Sequence, residues 1–127
     1  MRVLIVDERP SVRAALRAAL EHDTLCAGID EATGGDDALA ALAFGADAVV
    51  LEWELHGLTA ATFIAVAKAR RPGLVVVVLG HYAEAAAAAL AAGADYYVDT
   101  TQPFEDFLGL LHRLCLTAVQ PARQRDA

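Results

Sequence analysis

A chain of 127 residues that is 57% hydrophobic and 21% charged has the makeup of one domain with its own core, which excludes a disordered chain. Its net charge of −7 disfavours phosphate backbones, so no direct nucleic-acid contact is expected. The pairs Arg13/Arg17, Arg70/Arg71 and Arg123/Arg125 are too small to reverse that.

The first apolar run, Arg2–Val6, reads as a strand and closes on Asp7-Glu8. A helix pattern follows over Ser11–His22, with the Pro10-Ser11 pair suited to its start. Leu25–Asp30 is a weaker strand with Gly28 inside it, expected toward a sheet edge. Asp36–Phe44 reads as a helix, with Gly45 placed to end it in a left-handed conformation. Ala48–Glu52 is a second continuous apolar strand that again closes on acid. Then come a helix over Thr59–Arg70, a strand over Leu74–Leu79, a helix over Ala83–Ala92 ended by Gly93, and a strand over Asp95–Asp99. The final helix, Phe104–Leu116, carries Phe104, Phe107, Leu108, Leu111, Leu114 and Cys115 on one stripe. Periodicity is lost beyond it. Residues 1–117 are therefore expected to form the domain, and 118–127 a polar tail or the start of a linker.

No secretory signal opens the chain, and Leu74–Leu79 is far shorter than the roughly 20 apolar residues a bilayer span needs. Cys26 and Cys115 lie in apolar stretches and read as reduced thiols. A cytoplasmic domain without membrane contact is the expectation.

Continuous β-branched runs are buried on both faces, and strand–helix alternation implies right-handed crossovers. The expected fold class is α/β, a single doubly wound five-stranded parallel sheet with five helices. Sites in such folds lie outside the C-terminal strand ends, which is where Asp7, Glu8 and Glu52 fall.

Asp7-Glu8-Arg9-Pro10, and Asp47-Ala48-Val49-Val50-Leu51-Glu52 with Gly57 five residues on, resemble the receiver domain of two-component response regulators. Glu31-Ala32-Thr33-Gly34-Gly35-Asp36-Asp37-Ala38-Leu39 and Ala91-Ala92-Gly93-Ala94-Asp95-Tyr96-Tyr97-Val98 support the resemblance, which covers residues 1 to about 117. It implies a flavodoxin-like fold of the receiver type. It also implies that Asp7 and Glu8 match the family's Mg²⁺-binding acids, and that Glu54 matches the residue giving a backbone carbonyl to the metal. Glu52 stands where the family has its phosphoaccepting aspartate. Gly80 replaces a Thr or Ser that binds the phosphoryl group, and Thr100 replaces a lysine. Tyr97 keeps the position of an aromatic that reorients on activation. The lone lysine, Lys68, falls in the third helix pattern, and a two-residue shift of the fifth strand offers only Gln102.

These departures bear on chemistry. Glu extends its oxygens by about 1.5 Å relative to Asp, and placement errors near 1 Å can cost about 100-fold in rate. Losing the lysine removes a charge-assisted partner for a phosphoryl product. The expected function is a non-enzymatic pseudo-receiver in two-component or phosphorelay signalling, acting by protein–protein contact independently of phosphorylation. The alternatives are a phosphoaccepting receiver and the N-terminal regulatory domain of a DNA-binding transcription regulator.

No cofactor is required on this reading. Asp7, Glu8, Glu52 and the Glu54 carbonyl are hard oxygen ligands that suit Mg²⁺, held weakly or lost. Three close carboxylates without a cation repel, so at least one should have a raised, coupled pKa. His56 and His81 lie near the same edge and could supply positive charge, although exposed loop histidines are the plainer expectation. The family resemblance implies an interaction face on the fourth helix, fifth strand and fifth helix. Tyr82, Leu90, Tyr96 and Tyr97 would serve a protein partner or homodimer there.

Overall fold

The computed structural model describes residues 1–23 and 26–118. The strongly apolar runs form the middle of one parallel sheet: β1 (Arg2–Val6), β3 (Ala48–Glu52) and β4 (Val75–Gly80). β2 (Gly28–Ala32) and β5 (Tyr96–Asp99) form its edges, in the order β2-β1-β3-β4-β5. Every residue of β3 is buried, as a continuous β-branched strand covered on both faces requires.

Alternate side chains of each strand feed opposite faces. Leu4, Val6, Val49, Leu51, Val76 and Val78 pack toward α2 (Gly35–Ala41), α3 (Ala60–Arg70) and α4 (Ala85–Ala91), with Phe63 and Ile64 at the centre. Val3, Ile5, Val50, Val77 and Leu79 meet α1 (Pro10–Glu21) and α5 (Phe104–Ala118) through Leu16, Leu20, Phe107, Leu111 and Leu114. Each such buried aliphatic or aromatic side chain contributes about 1.5–3 kcal/mol of transfer free energy. The architecture is the expected five-stranded, flavodoxin-like doubly wound sheet with five α-helices among the described residues.

Several boundaries differ from expectation. β2 is the edge strand foreseen, but it runs Gly28–Ala32 instead of Leu25–Asp30; Leu25 lies outside the described residues. Pairing decides it: Arg2 to Val6 face Gly28 to Ala32 in register, and the Asp7 amide donates to the Ala32 carbonyl. The shift adds Glu31 to the Asp30 already expected in the strand, and both acids are matched by arginines. Arg2 reaches Asp30 at 2.9 Å, and Arg13 and Arg17 of α1 reach Glu31 at 3.2 and 2.6 Å.

Pro10 opens α1 after Arg9, and Ser11 lies inside the helix without capping it. α2 stops at Ala41 and tightens into a 3₁₀ turn over Leu42–Phe44. α4 is shorter than the Ala83–Ala92 pattern, because Ala83 and Glu84 form a turn in which the Ala85 amide donates to the Tyr82 carbonyl. Gly45 and Gly93 do take positive φ, 90° and 112°, as the sequence pattern led one to expect. On α5, Phe107, Leu111 and Leu114 are buried, Leu108 is half-buried, and Phe104 is exposed. The Cys115 side chain and residues 119–127 of the expected tail lie outside what is described, while Ala118 belongs to α5. No helix among the described residues is long and apolar enough to cross a membrane.

Candidate functional site

The parallel register of β1 and β3 sets Val6 opposite Leu51. The next residue of each strand is an acid, so Asp7 and Glu52 emerge side by side at the C-terminal edge. Both are buried, with 1% and 3% of their surface exposed. Carboxylates so enclosed need charged or hydrogen-bonding partners.

Arg9 is that partner. Its Nε donates to Asp7 Oδ1 at 3.0 Å, and its Nη2 donates to Asp7 Oδ2 at 2.9 Å and to Glu52 Oε2 at 2.7 Å. The Arg9 backbone amide also donates to Asp7 Oδ1 at 2.9 Å. Pro10 immediately follows, where its fixed φ suits the first residue of α1. The hydrogen bond to Asp7, together with the charges of Asp7, Glu52 and Glu8, holds the guanidinium pKa above its ordinary value against the opposing effect of burial.

Glu52 is held at its other oxygen too. Oε1 accepts from the Glu54 amide at 3.3 Å and lies 3.9 Å from His81 Nε2. Burial pushes the Glu52 pKa up; the Glu54 amide, Arg9 and His81 oppose this, and Asp7 reinforces it. A carboxylate is raised, as expected, but for a different reason: desolvation is the main cause, and the expected repulsion among three acids is reduced to a lesser effect of Asp7 alone.

The other expected residues divide. Glu8 does not join the buried pair: it is exposed, with Oε2 2.5 Å from His56 Nδ1. His56 is an exposed loop residue, while His81 is half-buried and approaches Glu52. Thr100 Oγ1 donates to the Gly80 carbonyl at 3.1 Å and sits 2.9 Å from His81 Nδ1, tying the ends of β4 and β5 together. The lone lysine is remote from all of this, since Lys68 pairs with Asp95 at 2.7 Å before β5 begins.

Tyr97 packs its ring end onto Gly80. A Cβ at Gly80 would lie 2.0 Å from Tyr97 Oη and 2.7 Å from Cζ, far inside contact distance. The phenol donates to the Tyr82 carbonyl at 2.5 Å. Burial raises the Tyr97 pKa, against the effect of that hydrogen bond.

The part Arg9 plays here is not among the sequence-based expectations. A signal was available: a cation two residues after a buried acid, in a chain whose only lysine is elsewhere. Arg9, His81 and Thr100 also border a pocket of about 290 Å³ whose apolar wall includes Val12, Leu16, Val98 and Phe107. With its Arg9 side chain 41% exposed, the charged cluster is open to solvent on that side.

The family model described as response regulator receiver domain matches residues 3–110. The chain belongs to that family. The receiver domain is similar to a two-component response regulator from Clostridium difficile at 18% identity, covering 94% of this chain and 99% of that one with a TM-score of 0.82. A CheY-like receiver protein from Methanospirillum hungatei JF-1 matches at 22% identity over 90% and 92% of the two chains, with a TM-score of 0.79. The response regulator protein TrrA from Thermotoga maritima, solved in complex with Mg²⁺-BeF, matches at 24% identity over 89% and 97%, with a TM-score of 0.77. These likenesses show the fold. No curated protein matches the sequence.

Mg²⁺, the ion implied by the family resemblance, does not fit the residues present here as they are arranged. A guanidinium stands between Asp7 and Glu52, and Glu8 faces His56. Among the described residues no group of three or more His, Cys, Asp or Glu side chains is disposed to hold a metal.

Proposed function

We propose that this receiver domain serves two-component or phosphorelay signalling as a pseudo-receiver, acting by protein–protein contact without phosphorylation of Glu52. The observation that carries this reading is the contact of Tyr97 with Gly80. A side chain able to bring a hydroxyl to a phosphoryl group would start at the Gly80 Cβ position; Gly80 has none, and the end of the Tyr97 ring occupies that place. Tyr97 is bonded there to the Tyr82 carbonyl, which favours the ring's position against the end of β4.

The acceptor position is unsuited to transfer for its own reasons. Both oxygens of Glu52 are engaged, one by Arg9 and one by the Glu54 amide. A nucleophile in an ion pair with a guanidinium must break that pair before it can attack phosphorus. Thr100 offers a hydroxyl where the family has a cation, and that hydroxyl is already spent on Gly80 and His81. No group here takes the role of a catalytic residue, and no cofactor is required on this reading.

The output face on this reading is α4, β5 and α5, with Leu90 and Tyr96 exposed on α4 and β5 and Tyr82 exposed in the loop before α4. A protein partner, a second copy of this chain included, is the occupant proposed for that face. Incubation with acetyl phosphate and Mg²⁺ followed by intact-mass spectrometry tests the reading. The expected result is unmodified protein. A phosphoryl adduct mapped to Glu52 would overturn it.

A further inference from the structure

We propose that Arg9 is the resident cation of this site, standing in for a divalent ion and keeping such ions out. A cation that bridges the two buried acids through Asp7 Oδ2 and Glu52 Oε2 sits between those oxygens. Nη2 of Arg9 already fills that place, 2.9 Å from Asp7 Oδ2 and 2.7 Å from Glu52 Oε2. A metal bound to those oxygens at about 2.0–2.6 Å would need that same space.

The guanidinium is well placed to win the competition. It is fixed in charge at any ordinary pH, and its planar fork meets Asp7 through two parallel bonds, the geometry in which Arg–carboxylate pairs are strongest. It is also tethered: the Arg9 amide is bonded to the same Asp7 oxygen, so binding is intramolecular and local. The longer reach of Glu52 contributes, because its Oε2 is the atom that closes the bridge. Glu8, which would be the third oxygen donor, lies against His56 instead, apart from the pair that Arg9 bridges.

The inference concerns the same site as the proposed function but can fail separately. A domain that binds metal yet accepts no phosphoryl group overturns this inference alone.

The test is Mn²⁺-induced line broadening in amide NMR spectra of the full chain, with Mg²⁺-dependent melting alongside. For the wild type, the expected result is no selective broadening at Asp7, Glu8 and Glu54 in millimolar Mn²⁺, and no rise in Tm with Mg²⁺. Arg9→Ala and Arg9→Met, the second of which keeps the aliphatic stem, should show selective broadening at those amides. They should also show a Tm that Mg²⁺ raises, and adding Asp7→Asn should abolish both effects. Selective broadening in the wild type overturns the inference, and so does its absence in folded Arg9 variants. If neither variant folds, the wild-type spectra decide alone, exclusion supporting the inference and binding at Asp7 refuting it.

Discussion

The ring of Tyr97 lies on Gly80 so closely that a single added carbon would stand 2.0 Å from its hydroxyl oxygen. The two residues therefore form one structural unit: the absent side chain of one is the seat of the other. Gly80→Ser is expected to drive the Tyr97 ring off β4 and break its bond to Tyr82. Overpacking of this kind costs about 1–3 kcal/mol. Denaturant unfolding checks the magnitude, and in a double-mutant cycle Tyr97→Ala should remove most of the Gly80→Ser penalty.

Arg9→Ala should destabilise the domain by about 1–3 kcal/mol, the cost of leaving buried charged groups without their partner, tempered by the partial exposure of the guanidinium. The penalty should shrink in acid, where protonated carboxyls no longer need a cation. Urea titrations of both proteins across acidic and neutral pH give the comparison. An equal penalty at all pH values would show that Arg9 acts through packing alone.

Glu52 has a pKa raised above its ordinary value, chiefly by burial. The folded state thus binds this proton more tightly than the unfolded chain does. Its contribution to stability is complete below the ordinary carboxylate value and is lost as pH rises through the raised one. Glu52→Gln removes that dependence. The stability of the Gln variant relative to wild type should therefore increase from acid toward neutral pH, as read by denaturant unfolding.

Leu90→Ser and Tyr96→Ser remove exposed apolar surface from α4 and β5. Stability should change by no more than about 0.5 kcal/mol, as for most surface substitutions. Binding to a partner, or self-association followed by sedimentation, should weaken. Unchanged association by both variants would move the interaction to another face.

The parts of the fold legible from sequence were those where one effect dominates. β1, β3 and β4 declare themselves because burial on both faces admits only apolar residues, and Gly45 and Gly93 mark helix ends because only glycine takes their φ cheaply. The end of β2 lies beyond the apolar run because Glu31 enters the strand beside Arg13 and Arg17, which is long-range information. At the site, topology alone brought Asp7 and Glu52 together. The inward turn of Arg9 could not be read the same way, since an arginine beside two acids can as easily extend into water. The splitting of Glu8 from the pair likewise depends on His56, 48 residues away.

The claim of phosphorylation-independence meets its most direct test in beryllofluoride, a phosphoryl mimic, added with Mg²⁺ to isotope-labelled protein. The amide resonances of Glu52, Gly80, Tyr97 and Thr100, and the ring resonances of Tyr97, should keep their positions. Saturable shifts at Glu52 that extend to Gly80 and Tyr97 would show an intact phosphoryl switch and contradict the account.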